Sequence, residues 1–259
     1  MPQLLERLVL EFPDSSKSTL KKWIKAGRIR VDGQKALEPH QEVSEQALIR
    51  LMDKQKFLNL DIAVLYEDRD LIVVNKPEGI LSVATAFETE ETVHGVLKKE
   101  FRRVFPVHRL DRETSGVMVM ALSDIAREGL KEQFHTHSIH REYRAIVRGK
   151  IEGSGTWKCR LLEDANYFVR PHPKGDLAIT HYTVLNNRGK TTALQLILET
   201  GKKNQIRAQA LAAGYPILGD QKYGDTSSGR LHLHAYALDF IHPVTHKKMS
   251  FKSPVPFET

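Results

Sequence analysis

His108-Arg109-Leu110-Asp111-Arg112-Glu113-Thr114-Ser115-Gly116 runs straight into Val117-Met118-Val119-Met120-Ala121-Leu122, a dense polar loop feeding an apolar strand. Reactive side chains are mounted on such loops because the strand behind them is rigid. The loop offers Asp111 between Arg109 and Arg112, and a carboxylate so placed is a usable nucleophile or base. The plain alternative is a carboxylate that only pairs with its neighbours or caps a turn. A protein-kinase catalytic loop would need an asparagine further on, a glycine-rich loop and Asp-Phe-Gly, and the chain has none of these.

Outward from this stretch the pattern is mostly strands. Leu71-Ile72-Val73-Val74 reads as a short buried strand ending in the turn Lys76-Pro77-Glu78-Gly79, and 141–147 as a strand before Gly149. Leu194, Leu196 and Leu198 alternate with Gln195 and Ile197, and Leu231, Leu233 and Ala235 with His232, His234 and Tyr236, which predicts half-buried strands. Amphipathic helices are expected from Thr89, from a Ser123 cap, and over about 204–213 before Gly214. Strands in groups with occasional helices predict an α+β domain built on a mainly antiparallel mixed sheet.

The N-terminal region differs. Lys17, Lys21, Lys22, Lys25, Arg28, Arg30 and Lys35 face a single acid, Asp32, within 19 residues. Ser18 is the expected cap of a helix carrying Leu20, Trp23 and Ile24, with Gly27 as its stop, followed by a strand over 28–31 and the hairpin signal Asp32-Gly33. A last strand over 48–51 closes a small α/β unit at 1–53, with a linker at 54–60 and the larger domain at 61–259. A basic patch attracts polyanions through counterion release, nucleic acid being the commonest; the bland reading is a solvated helix face.

Composition narrows the class. The chain has 259 residues, 41% hydrophobic and 27% charged, with a formal net charge of +7, and its mean hydropathy of −0.38 belongs to a soluble globular protein. Apolar runs are far too short for a membrane span, and Glu6 and Arg7 break up the stretch an export signal would need. One cysteine, Cys159, allows neither an internal disulfide nor a cysteine-based zinc site, so the cytoplasm is the expected compartment. His135, His137 and His140, like His232 and His234, lack a metal-site spacing and are read as surface or RNA-facing; no metal is expected. Phosphate-loop and dinucleotide fingerprints are absent as well.

Two further segments hold candidates. In 198–224, Gly201 ends a strand and the helix after it projects Gln205, Ile206 and Arg207 from its first turn, a place that favours a carboxylate or phosphate partner. In Arg141-Glu142-Tyr143-Arg144, Tyr143 is an aromatic with a hydroxyl on a strand, a residue type that more often packs than reacts.

Taken together, 61–82, 108–123, 141–149, the Gln205-Ile206-Arg207 segment with 215–224, and 231–245 resemble the RluA-type RNA pseudouridine synthases, in the family's order and over nearly the whole chain. The N-terminal unit resembles the small RNA-binding domain shared with a ribosomal protein. The resemblance implies a pseudouridine synthase fold and an isomerase that detaches uracil from its ribose at N1, rotates it and rejoins it through C5, with no cofactor. It implies Asp111 as the catalytic aspartate, attacking the sugar or the base or acting as a base. Tyr143 becomes the tyrosine that stacks on the target base, Arg207 the partner of the aspartate, and Arg109 the wedge that fills the gap left by the extruded nucleotide. Lys17, Lys21, Lys22, Lys25, Arg28, Arg30 and Lys202 are the expected RNA contacts. Structured RNA is the implied partner, ribosomal RNA ahead of transfer RNA, for a monomer. Lys202, Asn204 and Gln209 depart from the family pattern, which has arginine, histidine and commonly histidine at these places. The rival reading, an idle RNA-binding or ribosome-assembly protein on the same fold, would be expected to have lost the Asp111 carboxylate. A hydrolase would need a second acid to activate water.

Overall fold

The computed structural model describes residues 2–36, 38–52, 56–85, 91–226 and 228–258. The chain divides into two compact units, Met1–Gln55 and Lys56–Thr259.

In the first unit, Asp32 (φ +50°) and Gly33 (φ +82°) both adopt left-handed conformations, the requirement of the tight hairpin turn that the Asp-Gly pair favours. They join Ile29–Val31 to Gln34–Lys35, and Ile49–Leu51 pairs on the other side of Ile29–Val31. The helix Lys17–Lys25 is capped by Ser16, whose hydroxyl accepts the Thr19 N–H at 3.2 Å. Ser18, the expected cap, lies inside the first turn instead. Sequence reading also missed the helix Leu4–Glu11. Leu4 and Leu8, four residues apart, share one face of it and pack with Leu20, Ile24 and Ile29 in the core of this unit.

Among the described residues, the second unit is built on a 12-stranded mixed sheet. From one edge its strands run Val169–Pro171, Ser154–Glu163, Asp176–Arg188, Thr191–Leu198, His140–Arg148, Leu233–Ile241, Ser115–Ala121, Leu71–Lys76, Ile62–Glu67 and Lys56–Leu58. Phe105–Pro106 and Lys248–Lys252 pair at the side. The neighbours are antiparallel except Leu233–Ile241 against Ser115–Ala121. At that parallel pair Gly116 has φ +123°, and a β-carbon there would fall 2.2 Å from the Ala235 carbonyl oxygen. Only glycine lets the two backbones approach so closely. The strand Lys56–Leu58 falls inside the expected linker and corrects it: its backbone pairs with Ile62, Ala63 and Val64.

The central strands are buried on both faces. Ile72, Val74, Met118 and Met120 pack on one side with Val93, Val96 and Leu97 of the helix Val93–Glu100. Leu71, Val73, Val117 and Val119 pack on the other with Ala126 and Leu130 of the helix Asp124–His135. Full burial explains why 71–74 and 117–122 lack polar alternation. The half-buried reading of 231–236 holds for Leu231, Leu233 and Ala235, which are buried, and for His232 and Tyr236, which are half-buried, but it fails at His234. The strand begins at Leu233, a bulge interrupts its pairing between Ala235 and Ala237, and His234 is 1% exposed with Nδ1 2.8 Å from Ser115 Oγ. His234 is therefore not a surface residue, and burial lowers its pKa to about 4. Ser123 caps its helix as expected, accepting the Ala126 N–H. The helix placed from Thr89 starts at Val93 behind a Thr92 cap, and Thr89 lies outside the described residues. The third helix, Gln205–Ala212, packs Ile206 and Ala210 against Ala145, Leu194 and Leu196.

Candidate active site

The loop 108–114 is tied down at both ends. His108 accepts the Val119 N–H on Nε2 at 3.0 Å and stacks on Phe134, with ring centroids 4.6 Å apart. Burial, helped by the Arg141 charge, lowers its pKa to about 3, so a neutral imidazole serves here as a structural acceptor. Ser82 Oγ accepts the Leu110 N–H and donates to the Leu110 carbonyl at 2.7 Å. The Arg112 carbonyl, one residue beyond Asp111, accepts from Gly79 N at 2.8 Å and from Lys76 Nζ at 3.0 Å. The turn after Leu71–Lys76 thus fixes the backbone on both sides of Asp111.

Lys76 is 0% exposed, and its ammonium also donates to the Pro77 and Ile80 carbonyls at 2.9 and 2.7 Å. Burial lowers its pKa to about 7 even though Asp111, Glu113 and Glu78 act in the opposite sense.

Asp111 meets two donors on a single oxygen. Its Oδ2 accepts Asn204 Nδ2 at 2.6 Å and Arg207 Nη1 at 3.3 Å, while Oδ1 has no hydrogen-bond partner among the described residues. The carboxylate is 19% exposed. Arg207 is itself held by Asp220, fully buried, through a two-pronged pair: Nε to Oδ2 at 2.8 Å and Nη2 to Oδ1 at 2.7 Å. Its Nη1 also reaches Glu113 at 3.1 Å. Burial alone would lower the guanidinium pKa, but its hydrogen bonds to Asp220 and the neighbouring carboxylates outweigh that and raise it. A planar fork suits this geometry in a way a lysine ammonium would not.

A cavity of about 400 Å³ opens over this group, lined in part by Arg109, Asp111, Tyr143, Lys202, Asn204 and Arg207. A second of about 350 Å³ shares Arg109, Asp111, Lys203 and Arg207 and extends to Lys222. Both are of the size that takes a small ligand, roughly 300–1,000 Å³. Tyr143 projects from His140–Arg148, and burial pushes its pKa up to about 12, so it enters the cavity as a neutral phenol. Among the described residues no three His, Cys, Asp or Glu side chains cluster as metal ligands would.

The structure therefore brings Asp111, Tyr143, Arg207, Arg109 and Lys202 to the rim or wall of one cavity. Arg109 is exposed, and Lys202 pairs with Asp176 at 3.0 Å. Lys17, Lys21, Lys22 and Lys25 lie exposed on the N-terminal unit. Arg28 and Arg30 are half-buried, Arg28 donating to the Met52 carbonyl and lying over the Trp23 ring. Sequence reading gave no role to Lys76 or Asp220. A lysine closing an apolar strand and a lone acid after Ile217-Leu218-Gly219 were the signals available. Gln209, one of the departures, is 2% exposed and bonds Thr180 Oγ1 and the Trp157 and Ala178 carbonyls, so it serves the packing of its helix.

Residues 70–212 match the sequence profile of the family described as RNA pseudouridylate synthase, and residues 5–49 that of the S4 domain. The chain is 31% identical to the ribosomal large subunit pseudouridine synthase D of Haemophilus influenzae, covering 99% of this chain and 89% of the relative. It is 33% identical to the protein of that name from Vibrio cholerae, covering 98% and 88%. In structure it resembles human RNA pseudouridylate synthase domain containing 1, with a TM-score of 0.66 at 23% identity over 80% of this chain and 88% of the other. Human RNA pseudouridylate synthase domain containing 4 gives a TM-score of 0.62 at 24% identity over 74% and 88%. These likenesses establish a pseudouridine synthase fold preceded by an S4 domain.

Proposed function

The chain belongs to the RNA pseudouridylate synthase family, an RNA-acting isomerase with an S4 domain, and on that premise we propose that it modifies ribosomal RNA of the large subunit with Asp111 as its catalytic carboxylate. The curated relatives named for the large ribosomal subunit support the choice of RNA. The observation that carries the assignment of Asp111 is its asymmetry: both donors sit on Oδ2, and Oδ1 is left for a substrate in the cavity.

The reaction breaks the N1–C1′ bond and forms C5–C1′; N1 gains a proton and C5 loses one. A target uridine in structured RNA must first leave its stack, at a cost of a few kcal/mol, and stacking on an aromatic ring returns about 1–3 kcal/mol. Tyr143 is placed to supply that ring, and its neutral phenol can donate to a uracil oxygen without adding charge. Arg207, anchored on Asp220, holds the aspartate in one rotamer, so that Oδ1 meets the reacting carbon without reorganisation. Arg109, exposed at the rim between the two cavities, occupies the gap that the extruded nucleotide leaves. Lys202 and the basic face of the S4 domain hold the RNA backbone. We take the protein to act as a monomer in the cytoplasm; no described helix is long and apolar enough to cross a membrane.

Tritium release from RNA labelled at uracil C5 tests the proposal. Large-subunit ribosomal RNA fragments should release label and transfer RNA should not, and Asp111→Asn should reduce release to background while the variant still binds RNA. Release from transfer RNA alone would refute the choice of substrate. Substantial release by Asp111→Asn would refute the role of the carboxylate.

A further inference from the structure

Asn204 occupies an unusual place. It caps the helix Gln205–Ala212 in a left-handed conformation, φ +50°, and its side chain makes no capping bond to that helix. At 8% exposed, it spends the side chain on the cavity instead. Its Nδ2 donates to Asp111 Oδ2 at 2.6 Å, and its Oδ1 faces the Tyr223 hydroxyl and Lys222 Nζ, each at 3.4 Å. An amide has one donor end and one acceptor end, so its neighbours decide which way it points. Tyr223, 1% exposed, takes the Val169 N–H on its oxygen at 3.2 Å, which leaves its own proton for Asn204 Oδ1. Both donors facing Oδ1 turn the NH₂ end towards Asp111.

We propose that Asn204 is a positioning residue for the isomerisation: its amide pins Asp111 by Oδ2 and presents Oδ1 to the substrate, and its orientation is set by Tyr223 and Lys222. The inference rests on the reading of Asp111 as the catalytic carboxylate. Asn204 differs from Arg207, the other donor to the same oxygen, in carrying no charge. Arg207 divides its guanidinium among Asp220, Glu113 and Asp111, whereas among the described residues the one side chain receiving the Asn204 N–H is Asp111. Among the described residues, the titratable and charged groups around the carboxylate include Arg207 from the helix, Lys76 from its strand, Tyr143 from His140–Arg148, Arg109, Arg112 and Glu113 from the loop, Lys203 before the helix, and Lys222 and Tyr223 from the segment after Asp220.

Three variants of the full chain, each checked by thermal melting, test this with tritium release across pH. Asn204→Ala removes the donor and should lower kcat about tenfold with KM for RNA within twofold, since Asn204 binds no RNA in this scheme. Asn204→Asp places a second carboxylate against Asp111, and two acids at hydrogen-bond distance hold a proton to higher pH. The acid limb of its kcat–pH profile should move up by one unit or more. Tyr223→Phe combined with Lys222→Met removes both donors facing Asn204 Oδ1 and frees the amide to turn, and should lower kcat severalfold; it decides the matter if the Asn204 variants do not fold. An Asn204→Asp profile superimposable on wild type, or a kcat of the combined Tyr223→Phe and Lys222→Met variant equal to wild type, overturns the inference. Loss in KM alone for Asn204→Ala would make it an RNA contact and overturn it too. Asp111→Asn separates this from the underlying reading: if that variant is active, Asp111 falls; if it is inactive while the Asn204 and Tyr223 variants behave as wild type, only the positioning role falls.

Discussion

Replacing Lys76 with methionine keeps the stem of the side chain and removes an ammonium that is 0% exposed and serves three carbonyls, those of Pro77, Ile80 and Arg112. The consequence for stability depends on pH. The folded pKa is about 7 against an ordinary 10.5, so below pH 7 both states hold the proton and the folded state bears the whole cost of burying a charge. Between about 7 and 10.5 the unfolded chain holds a proton that the folded chain has released, and stability therefore rises with pH through that window. From pH 7 to 9 the gain is about 2 kcal/mol, or roughly 4–8 °C in Tm for a domain of this size. Methionine does not titrate. The Tm of the wild type minus that of Lys76→Met should thus climb by this amount between pH 7 and 9, in melts at constant ionic strength. The same substitution removes one of two donors from the Arg112 carbonyl, beside Asp111, and a displacement of the carboxylate by even 1 Å can cost about 100-fold in rate. The kcat of Lys76→Met should fall at least tenfold. A Tm difference that stays flat from pH 6 to 9 would show that the buried ammonium does not titrate there and refute the reasoning.

Arg207→Ala leaves Asp220 buried without its partner, which should cost about 3–5 kcal/mol in urea unfolding and abolish turnover. Arg207→Met combined with Asp220→Leu should recover most of that stability and none of the activity. Changing Lys21, Lys22 and Lys25 together to glutamine should flatten the slope of log affinity against log salt by about 2 to 3. Product yield at saturating RNA should stay at the wild-type level, because these lysines lie on the N-terminal unit and Asp111 does not.

What could be read from the sequence was what depends on neighbours in the chain. Asp32-Gly33 specifies its turn by local backbone preference, and the apolar run behind Asp111 announces a strand whatever packs on it. Ser154–Glu163 and Asp176–Arg188 escaped notice because much of their surface is exposed and carries charged and polar residues, leaving little apolar alternation to detect. Ser16 and Ser18 are equally good caps on paper; the chain's entry into the helix decides between them. Within the cavity, Asp111 and Arg207 stand out by their flanking residues. Asp220 and Lys76 are ordinary until the fold buries them, since a charge becomes informative only once its solvent is gone. Asn204 was visible as a departure from a pattern, but its bond to Asp111 spans 93 residues of sequence.

That span bears on the order in which the protein becomes competent during synthesis. The core of the N-terminal unit closes among residues between Leu4 and Ile49. Asp111 gains its donors only when the segment containing Asn204 and Arg207 has emerged, and Arg207 is anchored only once Asp220 has followed. At about 5–20 residues per second, the ribosome takes roughly 10–30 s to make the stretch between. For that interval the nascent chain carries a finished RNA-binding unit and an unfinished catalytic one: it can be recruited to RNA before it can alter it.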